Sequence, residues 1–179
     1  MGTLVLSGAT SGSTTIAPTD AVTVTATFPN ATGTIMVSGG MPAFSAYQSS
    51  SQSIPASTYT KVQLQSKEFD TNSNFDNTTN YRFTPTVAGY YQVNGAVNWV
   101  ASVAAAECFV VIYKNGSSFK FGTDSNATGT YASIASALVY CNGSTDYIEF
   151  YCYQATGISK SLNATNTQTF FQAAMIRSA

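Results

Sequence analysis

Between Tyr90 and Trp99 the chain alternates without a break. Tyr91, Val93, Gly95, Val97 and Trp99 fall on one face of an extended strand, and Tyr90, Gln92, Asn94, Ala96 and Asn98 on the other. A period of two predicts a strand with one face in a core. The same reading predicts strands at Ala43–Tyr47, Thr60–Gln65, Tyr81–Thr84, Tyr90–Val100, Glu107–Tyr113, Ser118–Phe121, Ser133–Cys141, Tyr147–Tyr153 and Thr169–Ile176, separated by turn residues. Asn115-Gly116 is the residue pair of a tight hairpin turn, because both tolerate positive φ. No stretch has a convincing helical period. Ala101–Ala106 has helical propensity but is too short to stand alone.

Residues 1–40 have a different texture, rich in Gly, Thr, Ala and Ser and free of Lys, Arg and Tyr. Strand patterns occur at Thr3–Leu6, Val22–Phe28 and Thr34–Val37. In the middle one, Val22, Val24, Ala26 and Phe28 face opposite to Thr23, Thr25 and Thr27. A segment this short rarely holds a core alone, so its apolar stripe calls for a partner surface. The expected division is a β-rich docking or shaft segment over 1–40 and an all-β head over 41–179, with Ser38-Gly39-Gly40-Met41-Pro42 as the break.

Composition narrows what such a chain can do. Charged residues make up only 8 % of its 179 positions, against 44 % apolar and 13 % aromatic, so solubility rests on hydroxyls and amides. That surface suits tightly assembled extracellular or virion structures. The net charge is −1 and Lys and Arg form no cluster, which removes the electrostatic footprint of nucleic-acid binding. No apolar run is long enough to cross a bilayer as a helix. The start, Met1–Gly8, lacks the basic end of a secretory signal, so the expectation is a polypeptide that folds where it is made or reaches its site by assembly. Histidine is absent, which excludes Ser-His-Asp and Cys-His catalysis and imidazole metal sites. Cys108, Cys141 and Cys152 are an odd number at wide spacing; buried thiols are expected, with one disulfide of unassigned pairing as the alternative.

Several segments of residues 42–179 resemble, in order, the globular head of the complement C1q-like family, related in fold to the tumour necrosis factor ligands. They are Ala43-Phe44-Ser45-Ala46, Phe75-Asp76, Phe83 through Tyr91, Val110 through Gly116, Leu138 through Ile148, and Thr169 through Ile176. Departures are the two residues between Gly143 and Asp146, Ala88 where the family has proline, and the lack of a preceding collagen repeat. The resemblance implies a ten-stranded jelly-roll β-sandwich, a compact homotrimer and ligand-recognising outer loops. Ser7–Gly12 and Phe28–Thr34 are similar to segments of bacteriophage fibre and virion proteins.

Candidate sites follow from two-sided strands. If Ile148, Phe150 and Cys152 fill the core, Tyr147, Tyr151 and Tyr153 form a stripe on the opposite face. Phe109, Val111 and Tyr113 repeat this behind Cys108, Val110 and Ile112. A sheet apolar on both sides needs cover on both, so these six residues are the expected trimer interface. Asp124, Asp146 and Glu149 could suggest a cation site, but calcium wants more oxygen ligands, so solvated loop acids are expected. Asp70 with Asp76 satisfies the carboxylate count of a glycosidase without an arrangement to support it. Asn-x-Ser/Thr sequons at Asn30, Asn77, Asn115, Asn126, Asn142 and Asn163 are expected to stay unmodified. No catalytic, cofactor or metal site is expected.

The functional expectation is a non-enzymatic virion structural protein of a tailed bacteriophage, assembled in the host cytoplasm. Residues 1–40 would dock on other virion proteins, and the trimeric head would meet a host-surface glycan or protein through its loops. A capsid decoration protein and an extracellular complement-type recognition protein are the alternatives; neither nucleic acid nor membrane insertion is involved.

Overall fold

The computed structural model describes residues 4–7, 11, 13–16, 40–102, 107–126 and 129–179. The chain divides into two compact units, residues 1–34 and 35–179. In the first, β1 (Leu4–Ser7) pairs antiparallel with β2 (Ser13–Ile16), Leu4 opposite Ile16. The expected strands Val22–Phe28 and Thr34–Val37 lie outside the described residues.

The second unit is a sandwich. Its longer strands are β3 (Ala43–Tyr47), β6 (Ser66–Asp70), β9 (Ala88–Ser102), β10 (Cys108–Lys114), β11 (Ser117–Ser125), β12 (Gly129–Asn142), β13 (Ile148–Gln154) and β15 (Phe170–Ser178). Short pieces β4 (Ser53–Ile54), β5 (Thr60–Lys61), β7 (Phe75–Asp76), β8 (Arg82–Phe83) and β14 (Lys160–Ser161) complete the set. One sheet has five strands in the order β12-β9-β15-β3-β6. The other has six, β11-β10-β13-β8-β7 with β5 also paired to β13. All pairs are antiparallel. Passing from β9 to β10, from β11 to β12 and from β12 to β13, the chain crosses between sheets, which is the jelly-roll route.

The alternation read from the sequence explains the layering. Tyr91, Val93, Val97 and Trp99 are fully buried, as are Cys108, Val110 and Ile112 opposite them. Phe150 of one sheet stacks on Phe171 of the other at 5.2 Å and 3°. Phe44 stacks on both Phe75 and Phe83 at 4.6 Å, tying the first head strand to the short β7–β8 hairpin. Gly95 lies beneath Phe150: a Cβ there would come within 2.7 Å of the ring. The glycine inside the alternating strand is therefore the space that the opposite sheet's aromatic fills. Two polar groups carried inward find partners, the Trp99 indole donating to Ser133 Oγ at 3.0 Å and the Tyr91 hydroxyl to the Val87 carbonyl at 2.7 Å.

The expected strand Thr60–Gln65 is cut short. Thr60–Lys61 pairs with β13 and the Val62 amide still donates to the Phe150 carbonyl at 2.9 Å, then the chain leaves the sheet; Val62 and Leu64 are buried, and the Gln63 amide bonds to Gln52 Oε1 instead of a strand. Burial alternates there without a ladder. The Asn115-Gly116 turn forms as expected, with φ of 52° and 77°.

Candidate functional site

The six residues expected at the interface lie on the outer face of the six-stranded sheet, and most of them meet one another. Phe109 stacks on Tyr153 at 4.9 Å, Tyr113 on Tyr151 at 4.0 Å, and Tyr59 packs against Phe109, Tyr113 and Tyr153. Val111 is fully buried. Tyr147 stands apart, its ring covered by the Arg82 guanidinium at 4.4 Å. Lys61 lies 5.8 Å from the centre of the Tyr151 ring, forms an ion pair with Glu149 at 2.5 Å and donates to the Asn80 carbonyl. Burial raises the Tyr113 and Tyr151 hydroxyls above the ordinary tyrosine range, with smaller contributions from neighbouring Glu149. The cover that the sequence demanded is supplied partly from within: rings stacked on rings, with Tyr59 across them, leave few ring faces for a partner.

The acidic candidates do not converge. Among the described residues no group of three or more His, Cys, Asp or Glu is placed to hold a metal ion. Asp124 is exposed and accepts the Cys108 amide. Asp146 and Glu149 are buried, which corrects their reading as solvated loop acids: each has a lysine partner, Lys114 at 3.0 Å for Asp146 and Lys61 for Glu149. Asp146 also accepts from Asn115 Nδ2 at 2.8 Å and from the Asn142 amide, clamping two turns together, and the Asn115 bond above all holds its carboxyl below the usual range. Asp70 accepts the Asn74 and Phe75 amides. Asp76 accepts those of Thr78, Thr79 and Asn80, and backbone donation from Thr79 and Thr78 drives its carboxyl well below the ordinary range. Both act as turn staples.

The thiols are equally unsuited to chemistry. Cys108, Cys141 and Cys152 are free and buried. Burial pushes Cys141 up to about 11 and raises Cys108 and Cys152, so the nucleophilic thiolate is suppressed. Beside Cys108 sits a buried ammonium: Lys160 Nζ bonds to the Tyr131 hydroxyl at 3.1 Å, between the Tyr131 ring at 4.9 Å and the Trp99 ring at 5.9 Å, with no carboxylate ion-paired to it among the described residues.

The outer face of the five-stranded sheet is different. Ile134 and Leu138 on β12 are each 53 % exposed and Ile176 on β15 is 54 % exposed. Tyr140 and Tyr90 pair with each other at 5.4 Å and are also exposed, as is Phe69 on β6. The sequence reading missed this surface because serine and alanine between the large residues make β12 look half polar. The signal was present: strict alternation over Ser133–Cys141 leaves Ile134, Leu138 and Tyr140 on the side away from the core. A groove of about 130 Å³ opens on the same face, walled by Phe69, Gln92, Asn94, Gln172 and Ala174.

No family model matches the chain, and no curated protein matches it in sequence. Solved structures do. Eiger TNF from S. frugiperda superposes with a TM-score of 0.58 at 10 % identity, over 78 % of this chain and 93 % of that one. Murine APRIL gives 0.57 at 12 %, over 76 % and 99 %. The globular domain of zebrafish complement 1qA gives 0.55 at 17 %, over 77 % and 98 %. At such identities the likeness is one of fold. The head of this chain is a jelly-roll β-sandwich of the kind found in tumour necrosis factor and complement C1q domains.

Proposed function

We propose that this chain is a non-enzymatic display protein whose heads associate into a homotrimer on the surface of a bacteriophage virion. Residues 1–40 dock it to other virion proteins and the outer loops meet a host-surface glycan or protein. The observation that carries self-association is the outer face of the five-stranded sheet, where Ile134, Leu138, Tyr140, Tyr90 and Ile176 stand exposed together. Monomers seldom leave so many large apolar side chains exposed on one face. Three copies is the number that the C1q-like resemblance implies. The non-enzymatic reading is supported by acids spent on turns and ion pairs and by thiols raised far from ionisation.

Light scattering and native mass spectrometry of the full chain test this: a trimer is expected, and a monomer at micromolar concentration overturns it. Leu138→Glu on the five-stranded sheet should dissociate the trimer, whereas Tyr151→Glu tests the aromatic stripe of the other sheet. Labelling of intact particles with antibodies to the head separates tail tip from capsid decoration.

A second reading, an extracellular recognition protein, draws on the neighbours, which are named as complement and tumour necrosis factor domains. It predicts the protein free in the medium and absent from purified particles.

A further inference from the structure

Across the exposed face of the five-stranded sheet, residues line up in rows by strand register. One row is polar over four strands, Ser136 opposite Asn94, Asn94 opposite Gln172 and Gln172 opposite the buried Ser45, and it ends on Phe69 of β6. The row on one side of it runs from Ile134 through Ala96 to Phe170, and the row on the other side runs from Leu138 through Gln92 to Ala174. Ser136 Oγ donates to Asn94 Oδ1 at 2.9 Å and accepts from Gln92 Nε2 at 2.9 Å, so the serine and the two amides form one network.

We infer that this polar row sets the alignment and copy number of the assembly, the occupant of the face being another copy of this chain. The inference rests on the self-association proposed above. Its ground is an unspent, balanced set of hydrogen-bonding groups. Among the described residues Asn94 Nδ2, Gln92 Oε1 and both ends of the Gln172 amide have no partner within the chain. Two donors and two acceptors are left, all neutral, around a groove that the same three amides help to wall. The carboxylate at the end of the polar row, Glu68, already accepts the Ser45 hydroxyl and the Asn166 amide, so the unspent groups themselves are all neutral. A surface bearing the same amides supplies both halves of each bond.

Burial makes the row selective. An amide buried against Leu138 or Ile134 of a slipped neighbour loses its water without gaining a partner, at a cost that outweighs a typical net hydrogen bond. Sliding by one row moves a strand two residues, roughly 6.8 Å, and sets amides against aliphatics. The apolar members of the flanking rows alone do not discriminate between such alignments. A single buried asparagine fixes register and copy number in coiled coils in the same way, at some expense in stability.

The test compares the full chain with the double variant Asn94→Leu/Gln172→Leu and with the milder Gln172→Met, by native mass spectrometry and thermal unfolding at fixed concentration. Wild type should give one oligomer. The double variant should associate at least as stably yet populate other copy numbers on the order of tenfold more, the factor that about 1.4 kcal/mol of lost discrimination gives; Gln172→Met should lie between. A double variant as uniform as wild type overturns the role of the row. Should the double variant fail to fold, a Gln172→Met distribution identical to wild type does the same. A monomeric wild type overturns the self-association reading itself, which is a distinct result.

Discussion

Thr123 closes one side of the sandwich through Ile134. Its hydroxyl accepts the Ile134 amide at 2.8 Å and donates to the Ile134 carbonyl at 3.3 Å, so the edge strand of one sheet is tied to the edge strand of the other. Next to it Gly122 permits the approach, since a Cβ there would lie 2.3 Å from the same carbonyl. Thr123→Val, which keeps the shape and removes the hydroxyl, should cost about 1 kcal/mol in urea unfolding at fixed protein concentration. Gly122→Ala should cost more, because backbone must shift as well.

Gly95 and Phe150 make a second testable pair across the core. Gly95→Ala should destabilise the head by about 1–3 kcal/mol through overpacking against the ring. Combining it with Phe150→Leu should recover part of that loss, and the double-mutant cycle measures the coupling.

Acid stability should depend on Asp76 and Asp146. Both carboxyls are held below their ordinary range, by backbone amides at Asp76 and chiefly by Asn115 at Asp146. A folded-state pKa below the unfolded value contributes stability above about pH 4 that is lost as pH falls through the folded pKa. Chemical unfolding from pH 6 downward should show a falling limb below about pH 4. Asp76→Asn or Asp146→Asn should flatten that limb while lowering the plateau near neutrality.

The thiols should be silent until the head opens. With Cys108, Cys141 and Cys152 free and buried, a thiol reagent such as dithionitrobenzoate should titrate none of them in the native protein and all three in guanidinium. A cysteine reacting within minutes in the native state would contradict the packing around it.

Lys160→Met tests the buried ammonium. Methionine keeps a long apolar stem between Trp99 and Tyr131 and removes a charge with no carboxylate partner there among the described residues. The expected result is a Tm unchanged or raised by about 2–4 °C. Lys160→Ala, which leaves a void, should lower it.

The parts legible in the sequence were those governed by side-chain period and local turn chemistry. Alternation from Tyr91 to Trp99 predicted the buried face of β9, and Asn115-Gly116 predicted its turn, because both signals reside in adjacent residues. Strand β6, reading Ser66-Lys67-Glu68-Phe69-Asp70, escaped notice because it is an edge strand with its middle three residues exposed, and nothing apolar marks a buried side. Lys61 with Glu149 could not be foreseen, since the pair is joined by fold across eighty-odd positions of chain. Phe109 stacks on Tyr153 and Tyr113 on Tyr151, and this turning of rings toward one another has no trace in residue order.

The place of β15 has a consequence for biosynthesis. It lies inside the five-stranded sheet, hydrogen-bonded to β9 on one side and to β3 on the other. Until residues 170–178 have left the ribosome, Ala43–Tyr47 has no partner on that flank, and half the sandwich waits on its last strand. Nonsense truncation of even this final strand should therefore yield insoluble nascent chains instead of a trimmed head, and premature termination becomes self-eliminating.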